Sequence, residues 1–142
     1  MTSIAAVGER LAQACDLPEL LDAAYEAFEV LLSAIEDHED PSDPRFASFV
    51  MAATCAANGR DAVLFAPSLP PRQLLRAPAG SGTIHPEGAE SGAAVVVAVS
   101  TLLAARLAQA AGWAADPGDW AGCQDAARYA RQIQAMLTGS GP

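Results

Sequence analysis

The chain has 142 residues, of which 51% are hydrophobic and 18% are charged, and its formal net charge is −9. This length and composition predict one folded domain over residues 1–142 and exclude wholesale disorder. The eight cations are all arginines, so reactions that depend on a catalytic or phosphate-binding lysine are excluded. The acidic balance also predicts no nucleic-acid partner, because binding to phosphates depends on a basic surface.

Two helices are predicted in the N-terminal third of the chain. The first begins at Ser3, a good N-cap, and ends near Cys15, with apolar residues at spacings of three and four. The second begins after Asp16, with Pro18 in its first turn, and ends near Glu36. The apolar residues predicted to face inward are Leu20, Leu21, Ala24, Tyr25, Phe28, Leu31, Leu32 and Ile35. The carboxylates predicted to face outward are Glu19, Asp22, Glu26, Glu29 and Glu36.

An acidic loop over residues 36–43 and a third helix follow. The loop lacks the spacing of a calcium-binding EF-hand, so we expect it to be solvated and to hold no metal. The third helix is predicted from Pro44 to Asn58, and Gly59 is predicted to end it. A further helical turn or two over residues 60–65, before Pro67, is an open alternative. The residues predicted to form its inward face are Phe46, Phe49, Val50, Ala53 and Ala57.

Residues 67–90 are rich in proline and glycine and are predicted to form a flexible loop. A loop of this length inside a compact domain is uncommon and usually has a function. The basic side chains in and just before this loop are candidates for a small anion site: Arg60, Arg72, Arg76 and His85.

The stretch Ser91–Ala111 carries a single charge, Arg106, and is predicted to form a helix at the centre of the fold. A bilayer span needs about 20 predominantly apolar residues. Here Arg106 interrupts the run that starts at Gly92, so we expect a buried core helix and no membrane association. A last helix is predicted over Trp120–Leu137, with Asp119 as its cap and Trp120 facing inward, followed by a frayed tail over 138–142.

The sequence contains no motif for catalysis, metal binding or cofactor binding. Cys15, Cys55 and Cys123 lie far apart and form no C-x-x-C pair, which predicts reduced thiols in a cytoplasmic protein. Neither histidine has the Glu-x-x-His spacing of di-iron bundles, and no Gly-x-Ser-x-Gly nucleophile motif occurs. We therefore expect no catalytic residues, no metal and no cofactor.

The most distinctive feature of the sequence is its distribution of charge. Residues 16–43 hold ten of the seventeen acidic residues and no arginine. Such a face either keeps the protein soluble or attracts a basic partner electrostatically. Arg128 and Arg131 on the last helix are candidate internal partners for it.

Together these features predict an all-α, single-domain, up-and-down bundle of four to five helices around a buried central helix at 91–111. The predicted function is that of a non-enzymatic adaptor or regulator. It would present the acidic face of the second helix to a protein partner, either a basic protein or a second copy of this chain. The alternative is a small-molecule-binding bundle, or a small enzyme, with a pocket gated by residues 67–90.

Overall fold

The computed structural model describes residues 4–70 and 89–138, with side chains from residue 92 onward in the second segment. These residues form five helices and no strand: α1 (Ile4–Gln13), α2 (Leu17–Asp37), α3 (Phe46–Leu64), α4 (Ala89–Ala111) and α5 (Pro117–Leu137). The prediction of an all-α bundle is therefore confirmed. Most of the predicted loop, residues 71–88, and the predicted tail from residue 139 onward lie outside the described residues.

Four helices form a ring in the order α2, α3, α5, α4, and α1 packs across α2 and α4. Neighbours in the ring run antiparallel. α3 and α5 show this arrangement. Cys55 in the middle of α3 contacts Gln132 late in α5. Gly122, early in α5, lies against Ala62, late in α3: a Cβ on Gly122 would be 3.1 Å from the carbonyl oxygen of Ala62. In the described part of the chain, α3 and α4 occupy diagonal corners of the ring and do not touch.

The diagonal placement of α3 and α4 explains why a long connection joins them. α3 ends beside the start of α5, whereas α4 begins at the other end of the bundle, where Gly92 lies against His38 at the end of α2. A helix of 23 residues such as α4 is about 34 Å long. The end of α3 and the start of α4 therefore lie at opposite ends of the bundle.

α2 begins where the sequence predicts. The Asp16 side chain accepts a hydrogen bond from the backbone N–H of Glu19 (2.9 Å), and the Glu19 carboxylate accepts one from the N–H of Cys15 (2.8 Å). These bonds satisfy N–H groups at a helix start that have no helical partner. Of the eight residues predicted to face inward, six are buried, and Tyr25 and Leu32 are partly buried against the core.

α3 runs through the residue predicted to end it. Gly59 lies inside the helix, which continues to Leu64. It lies where α3 crosses α2, and a Cβ at this position would overlap the Phe28 ring. Gly59 is therefore required by the close approach of two helices and not by a turn. The predicted inward position of Val50 is also wrong, because this side chain is 38% exposed.

α5 begins at Pro117, earlier than predicted, with Asp116 as its N-cap: the Asp116 side chain accepts a hydrogen bond from the N–H of Gly118 (2.7 Å). Asp119, the predicted cap, is instead buried and accepts hydrogen bonds from the N–H (2.8 Å) and the Oγ (2.6 Å) of Ser68. It thereby holds the chain that leaves α3 against the start of α5. Trp120 is 52% exposed and not inward-facing, because Asp119 takes the inward position of the first turn.

α4 begins at Ala89, two residues before the predicted start, and it is buried on one side and not all round. Its buried residues include Val96, Leu103 and Leu107. Most exposed residues on its other side are small, namely Ala94, Ala98, Thr101, Ala105 and Ala108, and Val95 is exposed beside them. The stretch 92–111 is long and apolar enough to cross a membrane, but a core helix passes the same test.

Arg106, the charge in the apolar part of α4, joins this helix to α1. Its guanidinium donates hydrogen bonds to the carbonyl oxygen of Leu11 (2.9 Å) and to that of Ala14. Carbonyls at a helix end have no helical partner, and the negative end of the helix dipole favours a cation there. The guanidinium also lies over the Trp113 ring, 5.5 Å from its centroid. Arg106 is therefore part of the packing between helices.

Replacing two helical glycines by alanine should have opposite effects on stability. The new Cβ of Gly59→Ala would overlap the Phe28 ring, so we expect the free energy of unfolding to fall by about 1–3 kcal/mol, as in overpacked cores. At Gly8 the nearest atom to a new Cβ lies 4.0 Å away, on Val99, so an alanine fits without a clash. Because alanine favours a helix more than glycine does, Gly8→Ala should raise the free energy of unfolding by about 0.5–1 kcal/mol. Urea denaturation followed by circular dichroism would measure both, and an unchanged Gly59→Ala variant would contradict the close crossing.

Candidate functional site

The five carboxylates predicted to form one outward face of α2 do not form a single surface. Glu26 is only 2% exposed, so its predicted outward position is wrong. α1 covers this side of α2, and Arg10 of α1 donates hydrogen bonds to Glu26 (2.6 Å) and to Asp22 (2.9 Å). Glu19 is exposed but binds the N–H of Cys15. Three of the five carboxylates therefore hold α1 and the start of α2 together.

The ion pairs around Arg10 bring one buried carboxylate, Glu26, together with a half-buried arginine. Burial lowers the pKa of the Arg10 guanidinium, but hydrogen bonds and charge interactions with Asp22 and Glu26 outweigh burial, so this pKa is raised above its ordinary value. The surroundings of Arg10 therefore favour its charged form. A buried carboxylate needs such a partner, because an unpaired charge in the interior is costly.

The remaining acids gather at the C-terminal end of α2. Glu29 is half-buried and Glu36 is exposed, and their spacing of seven residues places them on the same side of the helix. Asp37 and the following loop continue this charge. We call these residues the acidic patch: Glu29, Glu36, Asp37, Glu39 and Asp40.

The described part of the fold leaves most charges of the acidic patch without an arginine partner. Within residues 4–70 and 89–138, no arginine forms a salt bridge with Glu36, Asp37 or Glu39. The two candidate internal partners lie on α5, which does not contact α2, and Arg128 pairs instead with Asp125 (3.7 Å). In this patch, Asp40 accepts hydrogen bonds from the backbone and side chain of Ser42, which lower its pKa and favour its charged form.

The position of the patch also opposes the helix dipole. Glu36 and Asp37 occupy the last turn of α2, where no basic residue is present. The C-terminal end of a helix carries partial negative charge, so an anion there costs on the order of 0.3–1 kcal/mol. Folding therefore gains nothing from these two carboxylates at this position.

His38 lies at the C-cap of α2, where the acidic loop begins. Its Nδ1 lies 2.9 Å from the carbonyl oxygen of Ala34, so the neutral ring carries its proton on Nδ1. Its Nε2 is buried without a hydrogen-bond partner among the described residues. A Cβ at Gly92 would overlap the ring. His38 therefore fills the space between the end of α2 and the start of α4, and its surroundings are those of a packing residue.

The predicted anion site is only partly described. Arg60 forms an ion pair with its neighbour Asp61 (3.5 Å), whereas Arg72, Arg76 and His85 lie outside the described residues. A separate open cleft of about 250 Å³ is lined by Arg10, Gln13, Ala14 and Glu19. It is smaller than the roughly 300–1,000 Å³ of typical ligand sites, and both charged residues that line it are already engaged.

The cysteines show no arrangement for catalysis. Burial and the nearby charge of Asp119 raise the pKa of the Cys123 thiol to about 11, and burial raises the pKa of Cys55. A nucleophilic thiol needs the opposite shift. Cys15 is exposed. In the parts of the chain that the structure describes, no three side chains of His, Cys, Asp or Glu gather as metal ligands.

Large apolar side chains are exposed on α3, a feature that sequence reasoning missed. Met51 is 57% exposed, Leu64 50% and Phe65, at the C-cap, 83%. α3 contacts only α2 and α5 in the described structure, so its other side faces solvent. The one signal in the sequence is that apolar residues occur all around this helix and not along one side.

Removing Arg10 should destabilise the protein through Glu26. We expect Arg10→Met to lower the free energy of unfolding by about 2–4 kcal/mol. Loss of one partner of a fully buried ion pair costs about 3–5 kcal/mol. The expected loss is smaller here because the Arg10 side chain is 37% exposed. The double variant Arg10→Met, Glu26→Leu should recover most of this loss, because no buried charge remains. Urea denaturation would test both, with Glu29→Gln as a control. A double variant no more stable than Arg10→Met would contradict this role of Glu26.

The raised pKa of Cys123 predicts a loss of stability at high pH. The folded state holds the thiol in its neutral form up to a pKa of about 11, against an ordinary value of 9.0. The free energy of unfolding should therefore fall as the pH rises from about 9 to about 11, and Cys123→Ala should reduce this slope. Cys15→Ala, at an exposed site, should leave the slope as in the wild type. Equal slopes in all three proteins would contradict the assignment.

No protein-family model, no curated protein and no solved structure matches this chain. No function is therefore carried over from a relative. The function has to be inferred from the described contacts and charges. Two features of the described residues are exposed and belong neither to an ion pair nor to the core: Glu36 and Asp37 of the acidic patch, and the exposed apolar side chains of α3.

Proposed function

We propose that this chain is a non-enzymatic interaction protein that binds a basic protein partner through the acidic patch. The observation that carries this proposal is the placement of Glu36 and Asp37. Both are exposed, both oppose the dipole of α2, and neither has a cation partner among the described residues. Natural proteins are often less stable at functional surfaces than they could be, because function and stability compete there.

The proposed surface is smaller than the face predicted from the sequence. Glu19, Asp22 and Glu26 have structural partners, so the binding surface centres on Glu36, Asp37 and the loop that follows. Clustered exposed charges increase the association rate with an oppositely charged protein, and salt weakens this effect. A chain with a net charge of −9 repels a second copy of itself, which favours a basic partner over a homodimer.

One observation supports this proposal over an enzyme with a thiol nucleophile. The described thiols with shifted pKa values are shifted away from reactivity. The widely separated cysteines, free in the described structure, are compatible with a reducing compartment, so we also propose a cytoplasmic location.

Charge reversal within the patch should weaken binding more than the same reversal elsewhere. We expect the variant Glu36→Lys, Asp37→Lys to bind a fluorescein-labelled oligoarginine peptide about tenfold more weakly than wild type, as measured by fluorescence anisotropy. The control Glu9→Lys, Asp125→Lys changes the net charge equally, at exposed residues of α1 and α5, and should lose no more than about threefold. Equal losses would show that only net charge matters and would contradict the proposal.

The same patch variant provides its own control for folding. Two lysines in the last turn of α2 favour the helix dipole, so the free energy of unfolding should rise by about 0.5–2 kcal/mol in total. Thermal unfolding followed by circular dichroism would measure this change. A weaker binder that is also more stable cannot owe its weaker binding to loss of the fold.

A further inference from the structure

α3 presents a continuous exposed face to solvent. The outer face of α3, as we define it, consists of residues that lie within roughly 140° of the helix circumference at 100° per residue: Ala47, Val50, Met51, Thr54, Asn58, Asp61, Leu64 and Phe65. All of them are exposed. The charge it carries is Asp61, which is paired with Arg60.

The outer face of α3 has the composition of a binding surface. Val50 and Met51 lie near its N-terminal end, and Leu64 and Phe65 at its C-terminal end. Large apolar side chains are costly to leave in water and supply most of the energy at protein interfaces, where aromatic residues and methionine are enriched. Phe65, at 83% exposure, makes little contact with the other described residues. Packing among the described residues therefore does not account for a phenylalanine at this position.

The chain leads from the acidic patch into the N-terminal end of the outer face. Asp37 lies at the end of α2 and Asp40 in the loop that precedes α3, and both are exposed. A molecule that covers Val50 and Met51 and extends past the start of α3 toward the end of α2 would therefore reach exposed carboxylates. Complementarity requires that this molecule combine an apolar side with positive charges at its border.

We propose that the outer face of α3 docks an amphipathic, basic helix of the partner protein. This inference rests on the proposed function and adds the apolar half of the same interface. The face extends about 27 Å from Ala47 to Phe65, which matches a partner helix of roughly 18 residues. Apolar side chains of that helix contact Met51 and Phe65, and its lysines or arginines contact the acidic patch. A second copy of this chain would instead bring two acidic patches to one interface.

The proposal is tested with synthetic peptides and two matched variants. The probe is a fluorescein-labelled 18-residue amphipathic helix of leucine and lysine, and its controls are a scrambled peptide of the same composition and a leucine–glutamate helix. Binding to the wild type and to Met51→Ser, Phe65→Ser is measured by fluorescence anisotropy in about 0.15 M salt. The matched control is Val95→Ser, Trp120→Ser, which removes two comparably exposed apolar side chains from α4 and α5.

We expect the wild type to bind the leucine–lysine helix at least tenfold more tightly than either control peptide. The α3 variant should lose at least tenfold in affinity, and the α4–α5 variant less than threefold. One outcome is that the α3 variant binds like the wild type while Glu36→Lys, Asp37→Lys binds weakly. That outcome would contradict docking on the outer face of α3 and would support binding through the acidic patch. If the α3 variant loses affinity but the charge variant does not, the partner is not selected by charge, and both proposals fail.

Self-association is measured on the same proteins by analytical ultracentrifugation. We expect the wild type to be monomeric at the concentrations used for binding. A wild type that dimerises, together with a monomeric Met51→Ser, Phe65→Ser variant, would show that a second copy covers the outer face. That result would overturn the assignment to a basic partner helix.

Discussion

The structure depends on the burial of α2 by three other helices. α1, α3 and α4 all pack against it, and eleven of its twenty-one residues are buried. Two consequences follow from this crowding. The close approach of α3 leaves no room for a side chain beyond Phe28, so residue 59 must be glycine. The approach of α1 covers Glu26, and an arginine on α1 has to compensate for the buried carboxylate.

The packing of α1 on α2 also determines which acidic residues are available to bind another molecule. Where α1 covers α2, the carboxylates bind Arg10 or a backbone N–H. Beyond the end of α1, Glu36 and Asp37 have no such partner among the described residues, and both are exposed to solvent. The separation between structural and available acids thus follows from the length of α1, which is half that of α2. Composition alone cannot show it, because all ten acids of residues 16–43 look alike in the sequence.

Local signals in the sequence predicted the helices well, and contacts between distant residues explain where the prediction failed. Asp16 and Pro18 mark the start of α2, because capping is a matter of neighbouring residues. Gly59 has the same local appearance as a helix-ending glycine, but its role comes from Phe28, thirty-one positions away. Asp119 likewise resembles a cap, yet its partner is Ser68 in the chain that leaves α3. The candidate site was predicted in part: the acidic region was found, but Met51 and Phe65 were not.

The diagonal crossover between α3 and α4 has a consequence for chain connectivity. The contacts of α4 and α5 with the first three helices are all made across the ring and do not require that the chain be continuous. A covalent link between the two halves raises the effective concentration of one half near the other. The protein is thus organised as two complementary segments, residues 4–70 and 89–138. Their association is intramolecular because they belong to one polypeptide chain. A cut within this connection would convert folding into a concentration-dependent assembly of two chains.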